Sequence, residues 1–148
     1  METAFRDFKE LLALFNEHDV AYVIAGAHAL AFHGHPRYTG DLDILVHATA
    51  ENAGRVFTAL QAFGFDSTEL VAEDFQRPGN VVQLGVSPVR VDLLTSLTGV
   101  TWEAAREGSE PGDFDGVPVR YLGRSELIAN KRALGRPQDL ADLDALGQ

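Results

Sequence analysis

The chain has 148 residues, 12 basic and 22 acidic, for a formal net charge of −10, with 45% hydrophobic residues and no cysteine. That length suits one domain, residues 1–148, burying roughly two-thirds of the surface its unfolded form would expose. The charge argues against an extensive nucleic-acid groove, no apolar run nears the ~20 residues that span a bilayer, and the lack of thiols excludes a disulfide framework.

With no secretory pattern at the N-terminus, a cytoplasmic location is the expectation. In chain order, Phe5, Phe8, Leu11, Leu12 and Phe15 recur at helical spacing between Thr3 and Glu17, which predicts a helix packed by one face on a sheet. A buried strand, Val20 to Ala25, follows and stops at Gly26. Ala27 to Phe32 has helix-forming composition and is closed by Gly34 and Pro36. The strand Asp41-Leu-Asp-Ile-Leu-Val46 comes next. Side chains alternate along a strand, so Asp41 and Asp43 share one face and Leu42 and Ile44 the other. Adjacent carboxylates repel, and a divalent cation or a shared proton offsets that repulsion.

Thr49 is the expected cap of a helix from about Ala50, which carries Val56, Phe57, Leu60 and Phe63 and ends at Gly64. Phe65 to Gln76 reads as a short helix or a connection, and Pro78-Gly79-Asn80 as a turn. Val81 to Val86 and Val89 to Leu94 predict an antiparallel pair joined around Gly85 to Pro88, with Asp92 and Arg90 on one face of the second strand. Thr101 to Glu107 predicts a short helix, Gly108 to Gly112 a loop, and Phe114 to Leu122 a hairpin with Asp115-Gly116 at its tip and Pro118 on an edge strand. Ser125 is the expected cap of a helix reaching Leu134, Gly135 ends it, and Pro137 opens the last helix. Strands interleaved with helices make this an α/β or α+β domain with a mixed sheet.

Gly26-Ala27, thirteen intervening residues and then Asp41-Leu42-Asp43 resemble the signature of the polymerase-β-type nucleotidyltransferase superfamily, a strand ending in Gly and Gly or Ser, a helix, and an acidic strand. Arg37-Tyr38-Thr39 ahead of that strand is similar to the minimal nucleotidyltransferases and the abortive-infection toxin type. Asp92 matches the third carboxylate, and the stretch from Leu127 to Leu143, with Lys131 and Arg136-Pro137-Gln138-Asp139, resembles the closing helical pair. Position 27 is Ala where the family pattern has Gly or Ser, a departure that bears on phosphate contact.

The resemblance implies a twisted mixed sheet backed by helices. It further implies that Asp41, Asp43 and Asp92 are catalytic and hold Mg2+, with Asp92 on a second ion that activates the attacking hydroxyl. Gly26 and Ala27 at a helix start, Arg37, Thr39 and Lys131 would contact a nucleoside triphosphate. The implied reaction moves a nucleoside monophosphate to a hydroxyl of a small molecule, protein or RNA. A second reading keeps the fold without catalysis, as a partner-binding module such as one half of a toxin and antitoxin pair.

Blander roles stand beside these. Lys131, Arg132 and Arg136 also read as a solvated helix face, and Asp139 as an acid favoured at a helix N-terminus. His28, His33 and His35 lie close in sequence, but their spacing is poor for zinc, and packing or hydrogen bonding is the preferred role.

Overall fold

A computed structural model of the chain describes residues 2–37, 40–65, 70–85 and 89–148, with side chains from residue 7 onward. Thr39 and residues 86–88, where the connection between the two strands was expected, lie outside the described residues. The elements are α1 (Glu2–Glu17), β1 (Tyr22–Ile24), α2 (Gly26–Phe32), β2 (Asp41–Val46), α3 (Ala50–Phe63), a 3-10 turn (Ala72–Phe75), β3 (Val81–Leu84), β4 (Arg90–Leu94), α4 (Trp102–Glu107), β5 (Glu110–Phe114), β6 (Val117–Tyr121), α5 (Arg124–Leu134) and α6 (Pro137–Ala145).

The strands form one six-stranded mixed sheet in the order β3-β4-β2-β1-β6-β5. β2 runs antiparallel to β1 and parallel to β4, and β3 pairs antiparallel with β4. Alternation along β2 divides the molecule. Leu42, Ile44 and Val46 enter a core with Phe15 of α1, Val56 and Leu60 of α3, and Leu93 of β4. Leu45 enters the other, with Val23, Leu30, Leu122, Leu127 and Leu143. Burying each such side chain stabilises by roughly 1.5–3 kcal/mol, enough in sum to tolerate an unfavourable cluster of like charges. Asp41 and Asp43 share the parity of Leu45, so they lie on the face covered by α5 and α6, at the leading end of β2.

Local chemistry accounts for most boundaries. Thr49 Oγ1 accepts the Asn52 N–H at 3.1 Å and starts α3, and Gly64 ends it at φ 107°. β1 is shorter than its apolar run because Val20 N–H still closes α1 on Phe15 O at 2.9 Å and Ala25 already caps α2.

Three expectations are corrected. The stretch from Gly108 to Gly112 is not all loop: β5 begins at Glu110 and pairs with β6 from Glu110↔Tyr121 to Phe114↔Val117. β5 is the outer strand, where Pro111 is tolerated, and a Cβ on Gly112 would stand 2.8 Å from Phe32 Cε1 and 3.0 Å from Tyr121 Cε2, whose rings stack at 4.4 Å. Pro118 is therefore on an interior strand. It fits because β6 meets β1 only at Ile24↔Tyr121, so on that side the Pro118 carbonyl takes a hydrogen bond from Asn16 Nδ2 at 2.7 Å in place of a strand. Ser125 lies inside the first turn of α5, whose cap is Gly123. Among the described residues no helix is long and apolar enough to cross a membrane.

Candidate active site

The parallel pairing of β2 with β4 sets the site. Its register puts Asp41 opposite Arg90 and Asp43 opposite Asp92, so all four side chains leave one face of the sheet. Burial, then Asp92 and then Asp41, raise the Asp43 pKa to about 6, against the weaker pull of Lys131 and Arg90. Asp92 is 8% exposed.

Gly26 serves this arrangement directly. It sits at φ +60°, and a Cβ there would fall 2.2 Å from Asp43 Oδ2, so only glycine lets the turn from β1 into α2 lie against that carboxylate. Ala25 N–H donates to Asp43 O at 2.9 Å and fixes the same turn.

Arg90 bridges the carboxylates. Its Nη2 donates to Asp41 Oδ2 at 2.8 Å and to Asp92 Oδ2 at 3.2 Å. Its Nε lies 3.1 Å from Asp92 Oδ1 but is misaligned, leaving both atoms buried without a hydrogen bond. A divalent cation would suit the donors in type and number, as hard oxygen ligands with one orphaned buried oxygen. As they stand, no three His, Cys, Asp or Glu side chains among the described residues are arranged to hold a metal ion.

The three carboxylates, without Arg90, border a cavity of about 560 Å³ that Gly26, Ala27, Arg37, Asp41, Asp43, Asp92, Lys131, Arg136 and Asp139 help to line. Lys131 is not on a solvated face. Its side chain is 5% exposed, and Nζ lies 2.7 Å from Asp142 Oδ2 and 3.6 Å from Asp139 Oδ1. Arg37 reaches the same Asp142, with Nε 3.2 Å from Oδ1. Burial alone would raise the Asp142 pKa, but Lys131, Gln138 and Arg37 together hold it below the ordinary carboxylate value. Asp139 combines both of its sequence readings. It lies at the cavity wall and accepts from Arg136 N–H at 3.1 Å and Arg136 Nε at 2.6 Å, completing the start of α6.

The arrangement thus brings Gly26, Ala27, Arg37, Asp41, Asp43, Asp92 and Lys131 to one cavity, and Thr39 is outside the described residues. Asp142 was missed by sequence reasoning. The signal was present, since Asp139 and Asp142 are three apart on a helix and share a face. The histidines go elsewhere: His28 packs on Phe8 and Phe114, and His33 Nε2 hydrogen-bonds the Leu122 carbonyl at 2.8 Å.

No protein-family model matches the sequence, and no curated protein matches it. Among solved structures, the chain is similar to a candidate nucleotidyltransferase from Thermotoga maritima, with a TM-score of 0.64 at 17% identity over 95% of this chain and 90% of that one. At that identity the likeness is one of architecture: the chain has a nucleotidyltransferase-like fold, a mixed sheet backed by helices.

Proposed function

We propose that this protein is a Mg2+-dependent nucleotidyltransferase of the polymerase-β type, moving a nucleoside monophosphate from a triphosphate to a hydroxyl acceptor. The observation that carries the reading is the pairing of Asp43 with Asp92 across β2 and β4, Asp41 two residues away on the same face, at the wall of a cavity whose lining also includes Arg37, Lys131 and Arg136. Burial first, and then the like charges of Asp92 and Asp41, make an ionised Asp43 unfavourable, and its pKa of about 6 expresses that cost.

In this reading Asp41, Asp43 and Asp92 hold Mg2+. The bound ion supplies Lewis-acid stabilisation of charge on the phosphoryl oxygens. Gly26 keeps the backbone close to Asp43, and Ala27, exposing no hydroxyl, leaves phosphate contact to backbone N–H groups. Arg37 and Lys131 offer positive charge to the triphosphate, which competes with Asp142 for them. Thr39 is assigned a hydrogen bond to the same phosphates. Asp92, with Oδ1 buried and lacking a hydrogen bond, would hold the ion that lowers the pKa of the acceptor hydroxyl.

The test is transfer of label from an α-labelled triphosphate into a cell extract with Mg2+, wild type beside Asp43→Asn. Label transferred by the wild type and lost in the variant supports the enzyme. A second reading, a catalytically silent module that binds a protein partner as in a toxin and antitoxin pair, draws on the Arg90 ion pairs with Asp41 and Asp92. Its mark is a partner complex indifferent to Asp43→Asn, with no label transferred.

A further inference from the structure

We infer that Arg90 is a resident counter-ion of the carboxylate cluster, a positioning residue whose guanidinium occupies the divalent-cation site and must swing away before Asp41 and Asp92 can ligate a metal. This rests on the metal-binding reading above and adds the group that sets its threshold.

The backbone, rather than a chance rotamer, puts Arg90 there. It stands two residues before Asp92 on β4 and directly opposite Asp41 on β2, so its side chain rises between the two carboxylates on their own face. Its contacts are those of a stand-in. One nitrogen, Nη2, is divided between Asp41 Oδ2 at 2.8 Å and Asp92 Oδ2 at 3.2 Å. A structural Arg–carboxylate pair of full strength has two parallel, aligned bonds. Here the second arm fails: Nε and Asp92 Oδ1 are 3.1 Å apart yet both lack a hydrogen bond, on a residue only 8% exposed.

Arg90 pairs with Asp41 and Asp92 but makes no ion pair with Asp43. The Arg90 side chain is 32% exposed, so it has a route to solvent when a stronger cation arrives. Exchange of guanidinium for a divalent ion breaks the contacts to Asp41 and Asp92 and forms cation–oxygen bonds in their place, with no covalent step.

The experiment is a titration of the full chain with Mn2+, read by the loss of the free-ion electron paramagnetic resonance signal, for wild type, Arg90→Gln, Arg136→Gln and Asp43→Asn. Arg136 lines the cavity that the carboxylates border but is held by Asp139, so its variant removes one positive charge without opening the cluster. The inference predicts binding at least about tenfold tighter in Arg90→Gln than in wild type, a change under about threefold in Arg136→Gln, and strong loss in Asp43→Asn. Equal or weaker binding by Arg90→Gln, or an equal gain in Arg136→Gln, overturns it while leaving the metal site intact. If neither wild type nor Arg90→Gln takes up Mn2+, the metal-binding reading fails and this inference with it. Should Arg90→Gln not fold, the wild-type Arg90 Nε–H resonance answers the question. Saturating Mg2+ shifts it and speeds its solvent exchange if the guanidinium is displaced; an unmoved signal with Mg2+ bound overturns the inference.

Discussion

Replacing Asp43 by Asn should make the protein more stable, and only at neutral to alkaline pH. The Asp43 pKa is raised from 3.8 to about 6, first by burial and then by Asp92 and Asp41. A carboxyl with a raised folded-state pKa binds its proton more tightly in the native than in the unfolded chain, so stability falls as pH rises between those two values and stays lower above them. The displacement corresponds to about 3 kcal/mol for the ionised group. An amide of the same shape removes the charge but is still a buried polar group, so the expected gain is about 1–2 kcal/mol near pH 8. For a chain of this size that is roughly 3–6 °C in melting temperature. Melts followed by circular dichroism across pH test this: the gain should shrink steadily as pH falls from about 6 through 3.8, and in more acid solution, where Asp43 is protonated in both states, the variant should keep no advantage. A variant that is less stable near pH 8, or a gain that does not change with pH, would refute the argument that burial and like charges make an ionised Asp43 unfavourable.

Other substitutions separate site from scaffold. Asp142→Ala strips Lys131 of its partner at 2.7 Å and leaves a side chain only 5% exposed, and should cost about 3–5 kcal/mol in urea unfolding. Because the Asp142 pKa is lowered, its stabilisation is present above the ordinary carboxylate range and is lost as pH falls through the native value, so wild type and Asp142→Ala should converge in acid. Gly26→Ala meets both a positive φ and the Asp43 carboxylate; a loss of about 1–3 kcal/mol in chemical denaturation is expected, together with loss of any melting shift from Mg2+ and triphosphate. Asn52, 3% exposed, accepts from Ala21 N–H at 2.7 Å and donates to Ala21 O at 3.0 Å and His47 O at 2.9 Å. Asn52→Ala should therefore cost roughly 2–4 kcal/mol while the ligand-induced melting shift persists. In wild type, Mg2+ and triphosphate at about a hundred times Kd should add ~2.7 kcal/mol of stability; titration calorimetry showing no uptake by wild type would contradict the ligand assignment.

The acidic strand and the turn before it were legible because alternation and a single glycine are local properties: Asp41 and Asp43 share a face whatever lies beside them. What brings Asp92 to them is a pairing between β2 and β4 separated by nearly fifty positions in sequence, which no local pattern encodes. Arg90 was visible as a basic residue on the right face, but its division between two carboxylates depends on that same register. β5 was hidden behind Pro111 and Gly112, which read as a loop until the edge position and the Phe32–Tyr121 stack explain them. Of the two readings of Lys131, a phosphate contact and a solvated helix face, the second fails. Its charged neighbours suggest solvent, whereas two aspartates of α6 bury it.

The most direct test of the central claim is the identity of the phosphate product released from a nucleoside triphosphate in Mg2+ and acceptor-containing extract, compared between wild type and Asp43→Asn. Nucleotidyl transfer breaks the bond between the α- and β-phosphates, so the account predicts pyrophosphate from the wild type and none above background from the variant. Release of orthophosphate alone, or pyrophosphate undiminished in Asp43→Asn, would contradict it.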